Sequence, residues 1–359
     1  MSLISKLKTK IKQNNNLYIL LRNIYGFQKG FISLILNKKG SLEHIKSTVS
    51  LIKRDSNILG KPINITIEPT NICNAKCPIC ETGAGELGRK KAFLSFNDFK
   101  IIIDKISPYT NTLMYYFMGE PFLNKEWVKQ IQYAKNKGIP FISSCTNGDI
   151  KGIPQGIIDS KIDFVSFQIG GMTQETHQIY RVNTNLENIK NNLIETIKLK
   201  KTNNSKVHLE AGFILMKHNE HQVDEFIKWS RDIGVDSFNI IDPCVRTIEQ
   251  GKKYLPTDKK HWIYDAKEFA NGKLKRNITQ KNDCPWIYYS MTIMANGDIS
   301  PCCHDACGKE TMGNILKQNL EDIWNGENYK SFRNKIHTDQ KNIDICKLCS
   351  GYGVSEIKS

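Results

Sequence analysis

From residue 60 onward, short apolar runs alternate with longer stretches in which apolar residues recur every three or four positions. The runs at 63–67, 112–117, 140–145, 163–169, 207–215 and 237–241 are rich in aliphatic and aromatic residues and have the length of strands. Between them, 97–106, 125–137, 186–201 and 221–233 carry the spacing of a helix with one buried face. Repeated strand–helix units predict a parallel sheet, and six of them predict an open, partial (β/α)6 barrel of the TIM type. In such barrels chemistry collects at the carboxyl ends of the strands. Residues 246–283 are polar and Lys-rich and read as a linker with some helix. The chain shows no internal repeat and no low-complexity tract.

The first sixty residues follow another pattern. They hold eleven Lys or Arg against two Asp or Glu, and so carry +9 of the +15 net charge. Lys6, Lys8, Lys10 and Lys12 are interspersed among Leu3, Ile4, Leu7 and Ile11, and the apolar runs 17–21 and 31–36 follow. Neither run approaches the ~20 residues needed to span a bilayer. The pattern predicts a basic, amphipathic helical extension over residues 1–58. Two readings of it stay open: peripheral contact with an anionic membrane surface, or a helical collar packed on the barrel with a solvated basic face. No nucleic-acid-binding motif accompanies the charge, so no nucleic-acid partner is expected.

At 359 residues the chain fits one large domain or two modest ones, with ample core. Its eleven cysteines stand in no signal-peptide context. They predict a reducing compartment and metal ligation rather than disulfides.

Two groups of cysteines carry the candidate chemistry. Cys73, Cys77 and Cys80 form a C-x3-C-x2-C triplet just after the strand-like run at 63–67. Three thiolates within eight residues suit an iron–sulfur cluster with one iron left without a protein ligand, since full ligation takes four cysteines. Cys284, Cys302, Cys346 and Cys349 supply four and read as a closed, fully ligated second site. Zinc is the alternative at each: weak at the triplet, which lacks paired C-x2-C units, and stronger at the second set, which ends in one.

The triplet's spacing resembles that of the radical S-adenosylmethionine (SAM) enzymes, although Ile79 stands where that family usually has an aromatic residue. Phe117-Met-Gly-Glu-Pro121 is similar to the family's Gly-Gly-Glu segment, with Met118 in place of the first glycine. Cys145-Thr-Asn-Gly148 resembles the Thr-Asn-Gly that closes the fourth barrel strand. Val165-Ser-Phe-Gln-Ile-Gly-Gly171, followed by Arg181, resembles the fifth strand and its following Arg, without the usual Asp. Lys217-His-Asn219 and Gly234-Val-Asp236 are similar to the sixth strand–helix unit. The likeness covers roughly residues 60–245 in order. It implies that Gly119 and Glu120 hold the methionyl amino group of SAM and that Arg181 grips its carboxylate. Ser166 and Gln168, on one strand face by period two, become candidates for its ribose.

The second cysteine group resembles the auxiliary-cluster module called SPASM, or its shortened form, twitch. The likeness runs through Cys284, Gly297-Asp-Ile-Ser-Pro-Cys302, Gly313-Asn-Ile315, Leu320-Glu-Asp-Ile-Trp324 and Cys346-Lys-Leu-Cys349. No cysteine follows Cys349 in the sequence, so one auxiliary [4Fe–4S] cluster is expected. Cys145, Cys244, Cys303 and Cys307 are left over and read by default as packed thiols. Cys244 lies at the barrel mouth, and Cys303 or Cys307 could serve as a hydrogen-atom donor or alternative ligand.

These expectations give a helical extension (1–58), a radical SAM core (59–245), a linker (246–283) and an α+β cluster domain (284–359). The resemblance implies two [4Fe–4S] clusters, one binding SAM and one auxiliary, and an electron donor of flavodoxin or ferredoxin type. The expected reaction is hydrogen abstraction from a small sugar, aminocyclitol or lipid-linked substrate with net oxidation. Modification of a ribosomal peptide or protein, and electron transfer without SAM cleavage, are the other readings. The expected location is the cytoplasm, with a peripheral place at the inner membrane face if the extension meets lipid.

Overall fold

The computed structural model describes residues 15–277, 282–349, 351 and 353–358. Among the described residues two helices come first, α1 (Asn15–Ile35) and α2 (Ser41–Lys53). Lys6 to Lys12 of the expected basic leader lie outside the described residues.

Six parallel strands follow: β1 (Asn64–Ile67), β2 (Thr112–Met114), β3 (Phe141–Thr146), β4 (Phe164–Ile169), β5 (His208–Ile214) and β6 (Ser237–Ile241). Each pairs with its sequence neighbour, in the order β6-β5-β4-β3-β2-β1. The longer crossover helices are α3 (Phe96–Ile106), α4 (Trp127–Asn136), α5 (Ile153–Ser160), α6 (Leu186–Thr202) and α7 (Val223–Ile233). Ile65, Leu113, Val165, Phe167, Leu209 and Phe213 point to this helix layer and are fully buried. A sheet covered on one side by helices needs such β-branched and aromatic residues there. Phe99, Ile102, Ile103 and Ile106 give α3 its matching stripe, and Ser95 starts that helix by accepting a hydrogen bond from the Asp98 N–H. The fold is thus a partial (β/α)6 barrel.

The element ends shift by a few residues from those the sequence predicts. The largest change is at β2, which ends at Met114: the Tyr115 N–H still donates to Ser143 O, and the chain then runs into the turn at Gly119 (φ 82°). Thr146-Asn147-Gly148 closes the third strand of this barrel, counted from the strand before the triplet, and Gly170 follows the fourth.

The cluster module joins the same sheet. β7 (Ser290–Ile293) pairs in parallel with β1, in the register Asn64↔Ser290, and β8 (Asp298–Ser300) and β9 (Gly313–Asn314) continue antiparallel beyond it. The result is one nine-stranded sheet. A buried clamp reinforces the join. Arg89 meets the fully buried Glu68 with two hydrogen bonds of 2.8 and 2.6 Å, while its Nε donates to Ala306 O. The Ala295 N–H donates to the same carboxylate. Two partners of the module therefore share one ion pair at the end of β1. α8 (Glu327–Asp339) completes the module.

The segment 246–283 contains helices at Ile248–Tyr254 and Ala266–Ala270. Tyr254 and Tyr264 are buried against Cys77 and Ile79, so this segment covers the cysteine loop. Among the described residues no helix is long and apolar enough to cross a membrane.

Candidate cluster and cofactor site

The triplet lies in the loop that leaves β1, at the carboxyl end of the sheet. Backbone turns fold it: the Cys80 N–H donates to Cys77 O and the Ala84 N–H to Cys80 O. Gly119 presses on this loop, where a Cβ would collide with Thr70 O, and the Glu120 N–H donates to Ile72 O at 2.9 Å. Positive φ and close backbone approach together require glycine at this position. Cys73 receives N–H donation from Ala75 (3.4 Å) and from the Asn147 side chain (3.9 Å), which also holds Asn74 Oδ1 at 2.7 Å.

The three thiols are close enough to act on one another. Burial pushes Cys73 up to about 12, with the Glu120 charge and the Cys77 and Cys80 thiolates adding to the shift. Burial also raises Cys77, while the Arg181 guanidinium opposes that rise. Without iron the site favours neutral thiols, so cluster assembly there must release protons.

Glu120 is buried and its carboxylate is engaged inside the chain. It accepts from Thr146 Oγ1 and the Asn147 N–H at 2.8 Å each, and from the Phe122 N–H at 3.3 Å. Burial raises it to about 7 despite these donors. Its place in this chain is to tie the turn after β2 to the end of β3.

Arg181 lies beside the triplet, with NH1 3.8 Å from Cys77 Sγ and its guanidinium 5.4 Å from the Tyr180 ring centroid. Its Nε is buried without a partner among the described residues. Gly170 makes room for it, since a Cβ there would come within 2.8 Å of Arg181 Cγ. A half-buried arginine whose buried Nε donor is unused fits an anionic ligand. Three convergent thiols beside it fit a cluster with an open iron.

His177 links Gly170 to Arg181. Nδ1 accepts from the Gly170 N–H at 3.2 Å, and Thr184 Oγ1, which donates to Arg181 O, sits 2.9 Å from Nε2. Nε2 must therefore donate to Thr184, and a proton on Nδ1 would face the Gly170 N–H. Burial, with the Arg181 charge second, lowers this imidazole to about 3. The unfolded chain then binds more protons than the folded one between roughly pH 3 and 6.5, so this residue makes stability fall as pH drops through that window. His177→Gln is expected to flatten that limb in urea midpoints measured across pH; an unchanged slope would count against the assignment.

Ser166 and Gln168 occupy the face of β4 opposite the helix layer. Gln168 Nε2 donates to Ser166 Oγ, which donates to Glu210 Oε1 on β5, each at 2.8 Å. The pairing Ser166↔Glu210 makes this a continuous polar row inside the barrel. Glu210 was missed in the sequence reading, though a carboxylate alternating with Leu209 and Ala211 in a strand was the available signal. Asn74 and Tyr116 were missed as well. Burial, then Cys145 and Cys303, raise the Tyr116 phenol, which places this residue between the barrel and the module.

The second cysteine group also converges. Cys284, Cys302, Cys346 and Cys349 are all buried. Burial raises Cys284, and the Cys349 and Cys346 thiolates add to it. The neighbouring Cys303 thiol raises Cys302 most, ahead of burial, with Cys284 also contributing. Backbone N–H groups aim at the sulfurs, from His304 to Cys302 (3.4 Å) and from Gly351 to Cys349 (3.2 Å). Such donors favour thiolate and tune a cluster. Among the described residues no three His, Cys, Asp or Glu side chains are drawn in closely enough to hold a single metal ion; a four-iron cube spreads its ligands more widely. The other thiols are scattered, with Cys145 on β3, Cys244 exposed beside Arg276 NH2 (3.5 Å), and Cys307 near Glu86 O (3.9 Å).

Comparison with known proteins agrees with this geometry. The Radical SAM superfamily model matches residues 67–230, and the iron–sulfur cluster-binding SPASM domain matches residues 284–350. A Methanocaldococcus jannaschii protein named as a glycyl-radical enzyme activating enzyme is 26% identical over 215 residues, 57% of this chain and 86% of that protein. The S-adenosyl-L-methionine-dependent 2-deoxy-scyllo-inosamine dehydrogenase of Niallia circulans is 36% identical over 59 residues, 16% of this chain and 24% of its own length. Among solved structures, BtrN in complex with AdoMet and 2-DOIA superposes with a TM-score of 0.50 at 16% identity, covering 83% of this chain and 96% of that one. Streptococcus suis SuiB bound to the precursor peptide SuiA gives 0.58 at 15% identity, covering 86% and 75%. At these identities the solved structures share the fold.

Proposed function

Because the chain belongs to the radical SAM superfamily and carries an iron–sulfur cluster-binding SPASM domain, we propose that it oxidises a small, hydroxyl-rich substrate such as a sugar, an aminocyclitol or a lipid-linked glycan. A [4Fe–4S] cluster and SAM, when bound, supply a 5′-deoxyadenosyl radical that removes a hydrogen atom from an unactivated carbon. In this reading Cys73, Cys77 and Cys80 hold that cluster and leave one iron for SAM. Arg181 receives the SAM carboxylate on its unused Nε edge, and the Gly119–Glu120 turn, fixed by Thr146 and Asn147, faces the amino group. Cys284, Cys302, Cys346 and Cys349 close the auxiliary cluster with four protein thiolates and leave no iron for substrate.

The polar row inside the barrel carries the choice of substrate. Glu210 Oε1 accepts from Ser166 at 2.8 Å, whereas Oε2 is held only at 3.5 Å by Ser237 Oγ. Oε2 can therefore accept the proton of a substrate hydroxyl, which must leave when an alcohol carbon becomes a carbonyl. A peptide would offer such a proton only from a hydroxyl side chain, whereas a sugar or cyclitol carries one on most of its carbons. The auxiliary cluster held by Cys284, Cys302, Cys346 and Cys349 would take the one electron left on the substrate radical, and a donor of flavodoxin or ferredoxin type would supply the electron that SAM cleavage consumes.

The test is anaerobic turnover with SAM, dithionite and panels of aminocyclitols, sugars, lipid-linked glycans and peptides. Deuterium moving from a labelled alcohol carbon into 5′-deoxyadenosine, with a carbonyl product, supports the proposal. Turnover confined to peptides would assign the protein to peptide modification instead.

A further inference from the structure

α1 packs on the rest of the protein through Arg22 and three small residues. Its buried positions are Arg22, Gly26, Gly30 and Ser33, a stripe at four- and three-residue spacing. A Cβ at Gly26 would come within 2.9 Å of Val354, and one at Gly30 within 2.8 Å of His44, while Arg22 pairs with Asp283. The large apolar residues face outward instead: Leu20 is 55% exposed, Ile24 53%, Phe31 54% and Ile35 70%. With Ile52 of α2, Leu20, Ile24, Phe27 and Phe31 line an open groove of about 730 Å³. A helix that faces water buries its apolar stripe and exposes its polar one, so this arrangement is reversed. A contiguous exposed apolar face of this kind marks an interaction surface.

The charge around it selects the partner. No Asp or Glu precedes Glu43, whereas eight Lys or Arg lie in that stretch. Lys29, 5.4 Å from the Tyr25 ring centroid, is one of these cations on α1 itself. An apolar face that carries Lys29, on a segment whose sequence has cations and no anions, complements a negatively charged lipid surface. It disfavours a second copy of the chain, because a two-fold contact would set this positive segment against itself.

We propose that α1 is a docking helix that lies in the interface of an anionic phospholipid bilayer, with the Ile24–Phe31–Ile35 face among the acyl chains and the cations at the phosphates. This placement is independent of the reaction catalysed, and its test reads no turnover.

The full-length protein is mixed with phosphatidylcholine vesicles prepared with and without phosphatidylglycerol, and bound protein is separated by flotation. Binding should require phosphatidylglycerol and weaken as salt is raised. Lys29→Ser should weaken it about fivefold. Ile24→Glu with Phe31→Glu should weaken it at least about tenfold, since burying either side chain contributes about 1.5–3 kcal/mol. Both positions are exposed, so the double variant should keep the parent's circular dichroism and melting temperature. Absent binding, equal binding to neutral vesicles, or equal binding by the double variant would each overturn the proposal. Dimerisation abolished by the double variant, without vesicle binding, would assign the face to a second copy. Vesicle binding seen only after removal of residues 2–14 would assign it to that segment.

Discussion

Alanine at Cys73, Cys77 and Cys80 together is expected to lower the iron of the anaerobically reconstituted protein from about eight atoms to about four, the loss of one four-iron cluster. It should also abolish 5′-deoxyadenosine formation with SAM and dithionite. The loop that carries these thiols is shaped by contacts the substitutions leave alone. Gly119 still braces Thr70, Glu120 still ties β2 to β3, and Asn183 Nδ2 still donates to Asn74 O at 2.7 Å. The second cysteine group belongs to a different loop system, so the residual iron acts as an internal control on folding. Retention of all the iron, or zinc at the triplet, would refute the assignment of the open cluster. Burial holds Cys73 up to about 12, so loading at this site should also speed up as pH is raised.

Local spacing made the cysteine groups and the strand–helix alternation legible, because each signal lies within a few consecutive residues. What escaped was fixed by contacts distant in sequence. The pairing of Asn64 with Ser290 merges barrel and module into one sheet, and no local pattern at either strand announces it. Residues 246–283 read as a linker because they are polar, yet Tyr254 and Tyr264 settle over the cysteine loop. Periodicity also gives an amphipathic helix a face without giving that face a direction. For α1 the decisive residues were Gly26 and Gly30, whose missing side chains admit Val354 and His44 and turn the large apolar residues outward. Gln168 shows the same logic inside the barrel, where it fits because the opposite residue on β5 is Gly212.

Arg181→Ala is expected to weaken SAM binding by at least about a hundredfold, measured by equilibrium dialysis against the reconstituted protein. Two charge-assisted hydrogen bonds to a carboxylate, at roughly 1.5–3 kcal/mol each, account for that loss. Arg181→Lys keeps the charge but not the planar fork, and should recover only part of the affinity. The guanidinium has a second task that the experiment must separate, because its NH1 lies 3.8 Å from Cys77 Sγ and its charge favours that thiolate. Iron content divides the two. About eight irons with weak SAM binding would identify Arg181 as a SAM ligand, whereas about four would show that its main work is to hold the first cluster. Unchanged SAM affinity at full iron would exclude the carboxylate role, and the buried Nε would then need another anion to explain it. The packing around the residue makes the ligand role the stronger expectation: Gly170 clears space for the side chain, and His177 and Thr184 fix the backbone on either side. A cation positioned this closely, with a buried donor left over, is arranged for a partner that the described residues do not provide.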